Sequence, residues 1–198
     1  MPNTGDCLQI IRKSSFKAVP WKNGGGVTHE IIRNPATGDP FQWRMSVAHI
    51  DGSGPFSDFS GYRRHMVLLQ GQGLTLRFKT GDDCLLREVG DLAQFDGAAT
   101  PHCDLLGGPC VDLNLMVAES LRAEARVLRL TGKSAMAAPS ARALIFSIEA
   151  PLWLEWDGGE TVKLEPWDLA VVQHGGVLLS AIDPDISACA VFFATINH

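Results

Sequence analysis

No stretch of this chain is apolar for the ~20 residues that a membrane-spanning helix requires. Its longest such run, Ile186 to Ile196, stops well short. The opening segment, MPNTGDCLQIIRKSSF, lacks the apolar heart of a secretory leader. These two absences predict a cytoplasmic protein with no membrane partner. Lysine and arginine never cluster, and the net charge of -5 with a pI near 5.6 leaves no basic surface for nucleic acid. The cysteines number 5, an odd count, and no C-x-x-C pair occurs. That excludes a disulfide framework and a zinc knuckle, and points to reduced, buried thiols. No G-x-x-x-x-G-K-[ST] run is present, so Lys22-Asn-Gly-Gly-Gly26 is not a phosphate loop.

Short β-strands fill the space these absences leave. Hydrophobic residues make up 45% of 198 residues, enough for a sizeable core, and Gly 20 with Pro 11 supply many turns. In Phe41 to Ile50, Trp43, Met45 and Val47 fall on one face and Arg44, Ser46 and Ala48 on the other. Strands are also expected at 66–69, 74–78, 110–117, 144–148, 152–156, 169–172 and 187–195. Ser120 to Leu130 is the one helical candidate. Many short strands separated by glycine turns predict an all-β sandwich or barrel.

An internal echo points to two related halves. Glu88-Val-Gly-Asp-Leu-Ala93 returns as Glu165-Pro-Trp-Asp-Leu-Ala170, each copy after a strand–turn–strand pattern. A Gly-Asp turn preceded by the hairpin Leu69-Gln-Gly-Gln-Gly-Leu74 resembles the cupin jelly roll. In metal-binding cupins one motif supplies two histidines and a glutamate, and a second supplies another histidine. By that spacing Arg64 stands at the glutamate place, and Asp58 or Ser60 near the histidine places. Pro101 stands at the last, with His102 one residue off, which on a strand is the opposite face. The resemblance therefore implies a lost metal site, with Arg64 turning a cation site into an anion site. A guanidinium suits a carboxylate because its planar fork donates two parallel hydrogen bonds.

Three further segments carry a more specific resemblance. They are Trp21-Lys-Asn-Gly-Gly-Gly-Val-Thr-His-Glu-Ile31, then Trp43 to Ile50 with Gly54-Pro-Phe-Ser-Asp-Phe-Ser-Gly61, and Gly108 to Met116. With Arg64 and Leu68-Leu-Gln-Gly71 they resemble the bacterial HutD/Ves family from about Phe16 to Met116. Arg63 and Ala98 depart from it, each standing where an acidic residue is common. The resemblance implies a bicupin of two packed RmlC-like jelly-roll barrels without a metal or cofactor. A ligand-carrying barrel is expected over 1–120 and a degenerate one over 121–198. It also implies a role in moderating histidine utilisation by binding a pathway intermediate, such as urocanate or formylglutamate.

The residues themselves define where that ligand would sit. Thr28 and Glu30, Arg44 and Ser46, Arg64, and Asp112 with Asn114 each share a strand face with apolar neighbours. If these faces line one barrel mouth, the expected ligand-binding set is Lys22, Asn23, Gly25, Thr28, Glu30, Arg44, Ser46, Phe56, Arg64, Asp112 and Asn114. Two readings stand: the charges pair with one another, or they hold a small anion, which the mouth of a small barrel favours. A cofactor-free isomerase or hydrolase with Glu30 or Asp112 as base is a further alternative, and no catalytic residue is assigned. His102 is the best acid–base candidate outside this set. Trp153, Trp156 and Trp167 read as core residues, or as a face for a homodimer.

Overall fold

The structure is a computed structural model that describes residues 8–20, 26–131, 133–138, 141–156, 161–173, 175–182 and 189–197. Lys22, Asn23 and Gly25 of the expected site lie outside these residues. In chain order the strands are β1 (Leu8–Ile11), β2 (Lys17–Pro20), β3 (Gly26–Asn34), β4 (Trp43–Ile50), β5 (Gly54–Pro55), β6 (Tyr62–Gln70), β7 (Leu74–Arg77), β8 (Cys84–Leu86), β9 (Leu92–Asp96) and β10 (His102–Leu105). They continue as β11 (Cys110–Ala118), β12 (Arg122–Leu130), β13 (Lys133–Ala138), β14 (Arg142–Ser147), β15 (Leu152–Trp156), β16 (Thr161–Leu164), β17 (Leu169–Val172), β18 (Gly175–Ala181) and β19 (Cys189–Asn197).

The chain divides into two compact units, one of residues 16–121 and one of residues 1–15 with 122–198. The first has a six-stranded sheet, β2-β3-β4-β11-β6-β9, and a four-stranded sheet, β5-β10-β7-β8. The second has a five-stranded sheet, β1-β17-β14-β19-β12, and a four-stranded sheet, β13-β18-β15-β16. Each unit is thus a two-sheet jelly roll, as expected, and its sheets are not closed. Each has its own apolar interior. Met66, Leu68, Leu74, Leu76 and Phe95 build the first, and Ile145, Leu152, Leu154, Leu164 with Val191 and Phe193 the second.

Two expectations are corrected. Residues 8–15 do not belong with 16–120: β1 pairs antiparallel with β17, Leu8 opposite Val172 and Ile11 opposite Leu169. The segment expected as a helix is strand β12, paired along its length with β19. Arg122, Glu124 and Arg126 are exposed and Ala123, Ala125 and Val127 half-buried, the two-residue period of a strand on a sheet edge.

The internal echo corresponds to the same turn built twice. Asp91 accepts backbone N–H bonds from Arg87 and Glu88, and Asp168 accepts one from Glu165. Gly90 N donates to Leu68 O at 2.9 Å, and Trp167 N to Ser147 O at 2.7 Å. The residue before each aspartate has a left-handed backbone, φ +94° at Gly90 and φ +73° at Trp167. Glycine adopts that conformation freely, whereas tryptophan is strained by it. The second unit tolerates the strain because Trp167 is buried and Lys13 Nζ lies 3.9 Å from its ring centre. Asp168 also binds Arg12 Nη1 at 2.6 Å and Lys13 N at 3.0 Å, fastening the N-terminal segment to the C-terminal unit.

Candidate ligand-binding site

Period-two alternation places the polar residues of four neighbouring strands on one face of the six-stranded sheet. On β3, β4, β11 and β6 they form transverse rows. Thr28, Ala48, Asp112 and Leu68 make one row; Glu30, Ser46, Asn114 and Met66 the next. Arg44, Met116 and Arg64 make the third. Successive rows are two residues apart, roughly 7 Å at the ~3.3 Å rise of a strand. The register shifts just beyond the rows, at a bulge of β3 between Glu30 and Ile32 and at another of β6 opposite Val111 and Asp112.

Above the rows lies a cavity of about 460 Å³. It is lined by every described residue of the expected set: Thr28, Glu30, Arg44, Ser46, Phe56, Arg64, Asp112 and Asn114. Ala48 and Met116, which the alternation puts on the same face, line it too. Val19, Pro55, Ser57 and Phe59 complete it and were not foreseen. Pro55, Phe56, Ser57 and Phe59 belong to β5 and the turn after it, where no periodicity tells inward from outward.

Arg64 dominates the site. It is 4% exposed, and the centres of Phe56, Phe59 and Phe95 lie 5.0, 5.5 and 5.0 Å from its guanidinium carbon. Those π faces replace part of the hydration a buried cation loses. Its Nε is buried without a partner, and the guanidinium makes no hydrogen bond or ion pair with any described residue. Burial pushes its pKa down to about 10, against the pull of Asp112 and with a push from Arg44. It remains a cation at neutral pH.

Arg44 is the second cation. Phe41 and Phe59 lie 4.9 and 5.4 Å from its guanidinium carbon, so Phe59 serves both arginines. Arg44 Nη2 donates only weakly, to Met116 Sδ at 3.5 Å, and its Nε has no partner. Burial lowers its pKa, with Glu30 opposing that shift.

Asp112 is wholly buried in the row that also holds Ala48 and Leu68. Its pKa is raised to about 7 by desolvation, restrained by Arg64 and by a hydrogen bond with the Asn114 side chain. Asp112 Oδ1 and Asn114 Oδ1 are both buried without a partner. Mutual pairing of charges therefore does not account for the site: among the described residues, no carboxylate forms an ion pair with Arg44 or Arg64.

The other sequence candidates fall elsewhere. His102 is exposed on β10, with Nε2 3.5 Å from Asp104 Oδ1, and does not reach the cavity, which removes it as the acid–base group. Cys103 is buried and its thiol is pushed up to about 12 by desolvation, too high for a nucleophile. Asp58 caps its own turn by accepting from Ser60 N and Oγ at 2.8 and 2.6 Å. Trp153, expected in a core or an interface, is 41% exposed. Among the described residues no three His, Cys, Asp or Glu side chains converge in a way that could hold a metal ion. Among them, too, no helix is long and apolar enough to cross a membrane.

Two jelly rolls, one carrying a buried arginine in an open cavity, define a protein of cupin fold. Oxalate decarboxylase of Bacillus subtilis shares the fold alone, at a TM-score of 0.63 and 10% identity over 95% of this chain and 76% of that one. The HutD family model matches residues 13–190, and the chain belongs to the HutD family. It is 35% identical over 173 residues to an uncharacterised 21.2 kDa Pseudomonas putida protein in the hutC 3' region, covering 87% of this chain and 90% of that one. A Ves protein of Escherichia fergusonii is 32% identical over 109 residues, 54% of this chain and 56% of that one. A conserved Pseudomonas aeruginosa protein of unknown function has a similar structure, with TM-score 0.87, 30% identity and coverage of 96% and 99%. HutD of Pseudomonas fluorescens is also similar, with TM-score 0.78, 28% identity and coverage of 96% and 100%. Membership of this family fits a role in histidine utilisation.

Proposed function

We propose that the cavity binds a small organic carboxylate, and that the protein is a cytoplasmic binding protein that moderates histidine utilisation by capturing a pathway intermediate. The observation that carries this reading is Arg64, a buried, aromatic-caged cation with no hydrogen-bonded partner among the described residues. A buried charge left unpaired is costly, and a bidentate carboxylate supplies what the site lacks. Arg44, across Met116 in the same row, gives a second anchor for a dicarboxylate or for the far oxygen of a longer acid. Urocanate and N-formylglutamate, both acids of histidine breakdown, are the ligands to try first.

A thermal-shift series with these acids tests it. Ligand at 100 times Kd stabilises by about 2.7 kcal/mol, and Arg64→Met should remove the shift. No shift for any of them at millimolar concentration refutes the reading.

Asp112 favours a second reading. A carboxyl group with its pKa raised to about 7 is suited to proton transfer at neutral pH. A cofactor-free isomerase or hydrolase would turn over one of these acids at a rate lost in Asp112→Asn, whereas saturable binding without turnover leaves the binding protein.

A further inference from the structure

We propose that Asp112 takes part in binding as a carboxylic acid: when an organic anion docks on Arg64, Asp112 holds a proton and donates its O–H to a ligand oxygen, so binding draws a proton from solvent. This rests on the reading of the cavity as a carboxylate site. It assigns Asp112 the role of a donor, the opposite of the acceptor role that its charge in water would give it.

The geometry carries the argument. Asp112 is 1% exposed, and directly across from it on β4 and β6 stand the apolar Ala48 and Leu68. One carboxyl oxygen, Oδ1, has no partner. Arg64 on β6 is the cation whose field favours the ionised form, and Asn114 on the same strand adds a hydrogen bond. Arg44 on β4 is one strand and two rows away, beside Met116. Glu30 on β3 adds negative charge to the same cavity. The thiols of Cys103 on β10 and Cys110 on β11 are both pushed up by burial, so they are neutral and lend no charge.

An incoming carboxylate changes this balance in one direction. It takes the Arg64 guanidinium for itself and cancels the field that supports Asp112 as an anion. It also brings a second negative charge up to the buried Asp112, where two adjacent carboxylates resist being ionised together. A proton on Asp112 removes that repulsion and converts it into a hydrogen bond from the acid to the anion. Nothing else changes hands: the proton comes from solvent or buffer, and no covalent bond of the ligand is altered. Because burial already raises Asp112 to about 7, the proton is nearly available at neutral pH and the linkage costs little.

Calorimetric titration of the whole protein with N-formylglutamate at pH 8 tests the proposal, because no group of that acid titrates between pH 6 and 9. The same titration is run in buffers with small and large heats of ionisation. The expected result is a binding enthalpy that varies with buffer by an amount approaching one proton taken up per ligand. Affinity should fall about tenfold between pH 8 and 9. In Asp112→Asn, which keeps a neutral donor, the buffer dependence and the pH slope should both vanish. Binding whose heat ignores the buffer, or a wild-type affinity that stays flat from pH 7 to 9, overturns the proposal and leaves the carboxylate site intact. An identical proton uptake in Asp112→Asn also overturns it. No binding in any buffer overturns both.

Discussion

Arg64 and Asp112 line one cavity, and burial disfavours the charge of each, lowering the pKa of the first and raising that of the second. Replacing Arg64 by methionine removes a buried cation without emptying its volume, so the ligand-free fold should be unchanged or up to a few kcal/mol more stable. Affinity for a carboxylate should nevertheless fall at least tenfold. Arg64→Lys should not rescue it, because an ammonium cannot stack between Phe56 and Phe95 and present a planar fork at once. Parallel denaturation and binding titrations on both variants check this. For Asp112 the folded pKa lies above its unfolded value. Its contribution is complete below about pH 4 and lost as pH rises through about 7. Asp112→Asn should therefore stabilise the ligand-free protein at pH 8 and make little difference at pH 4. His65 has the reverse sign. It is 2% exposed with both ring nitrogens unpartnered, and desolvation aided by Arg63 lowers its pKa to about 4. Its contribution is complete above about pH 6.5 and lost as pH falls toward 4. A His65→Leu variant should consequently lose less stability than wild type between pH 6.5 and 4 in urea titrations.

At the scale of strands and turns, the repeated Glu-x-x-Asp-Leu-Ala turn makes a sharper prediction than any single contact. Asp168 gathers Arg12, Lys13 N and Glu165 N. Asp168→Ala should cost about 1–3 kcal/mol, the range for leaving buried donors unsatisfied. Hydrogen exchange should quicken at the Leu8–Ile11 amides while β11 stays protected. Gly90→Ala should cost about 1 kcal/mol, since the left-handed backbone there suits glycine. What could be read from sequence follows from this local chemistry. The faces of β3, β4, β6 and β11 were legible because alternation needs no knowledge of partners, and all eight described residues of the expected site line the cavity. Phe59 and Phe95, which cage Arg64, were not, because a ring in a turn or on a neighbouring strand gives no hint of which cation it covers. β12 reads as a helix candidate because the small Ala123 and Ala125 mark its half-buried face only weakly, leaving the period ambiguous until β19 fixes it.

For the whole molecule, the cupin arrangement was legible from the glycine hairpin and its repeated turn, whereas the membership of β1 was not. A four-residue strand has too little pattern to name a partner so distant in sequence, and only the pairing of Leu8 with Val172 reveals it. Deleting residues 1–12 should therefore weaken the C-terminal unit, exposing the edge of β17 and the buried Asp168. The cavity, made wholly by residues between Val19 and Met116, should still bind. Limited proteolysis of the truncated protein, with and without N-formylglutamate, separates the two units: ligand should protect 16–121 and leave cleavage of the rest unchanged.

That pairing also imposes an order in time. The unit that carries the cavity is one unbroken stretch of chain, so it can close on itself as soon as the ribosome has released it. β1 must wait, because its partner β17 emerges only after that whole unit. Until β17 emerges, the Leu8–Ile11 strand has no sheet edge to join, and the C-terminal unit is complete only when the two meet.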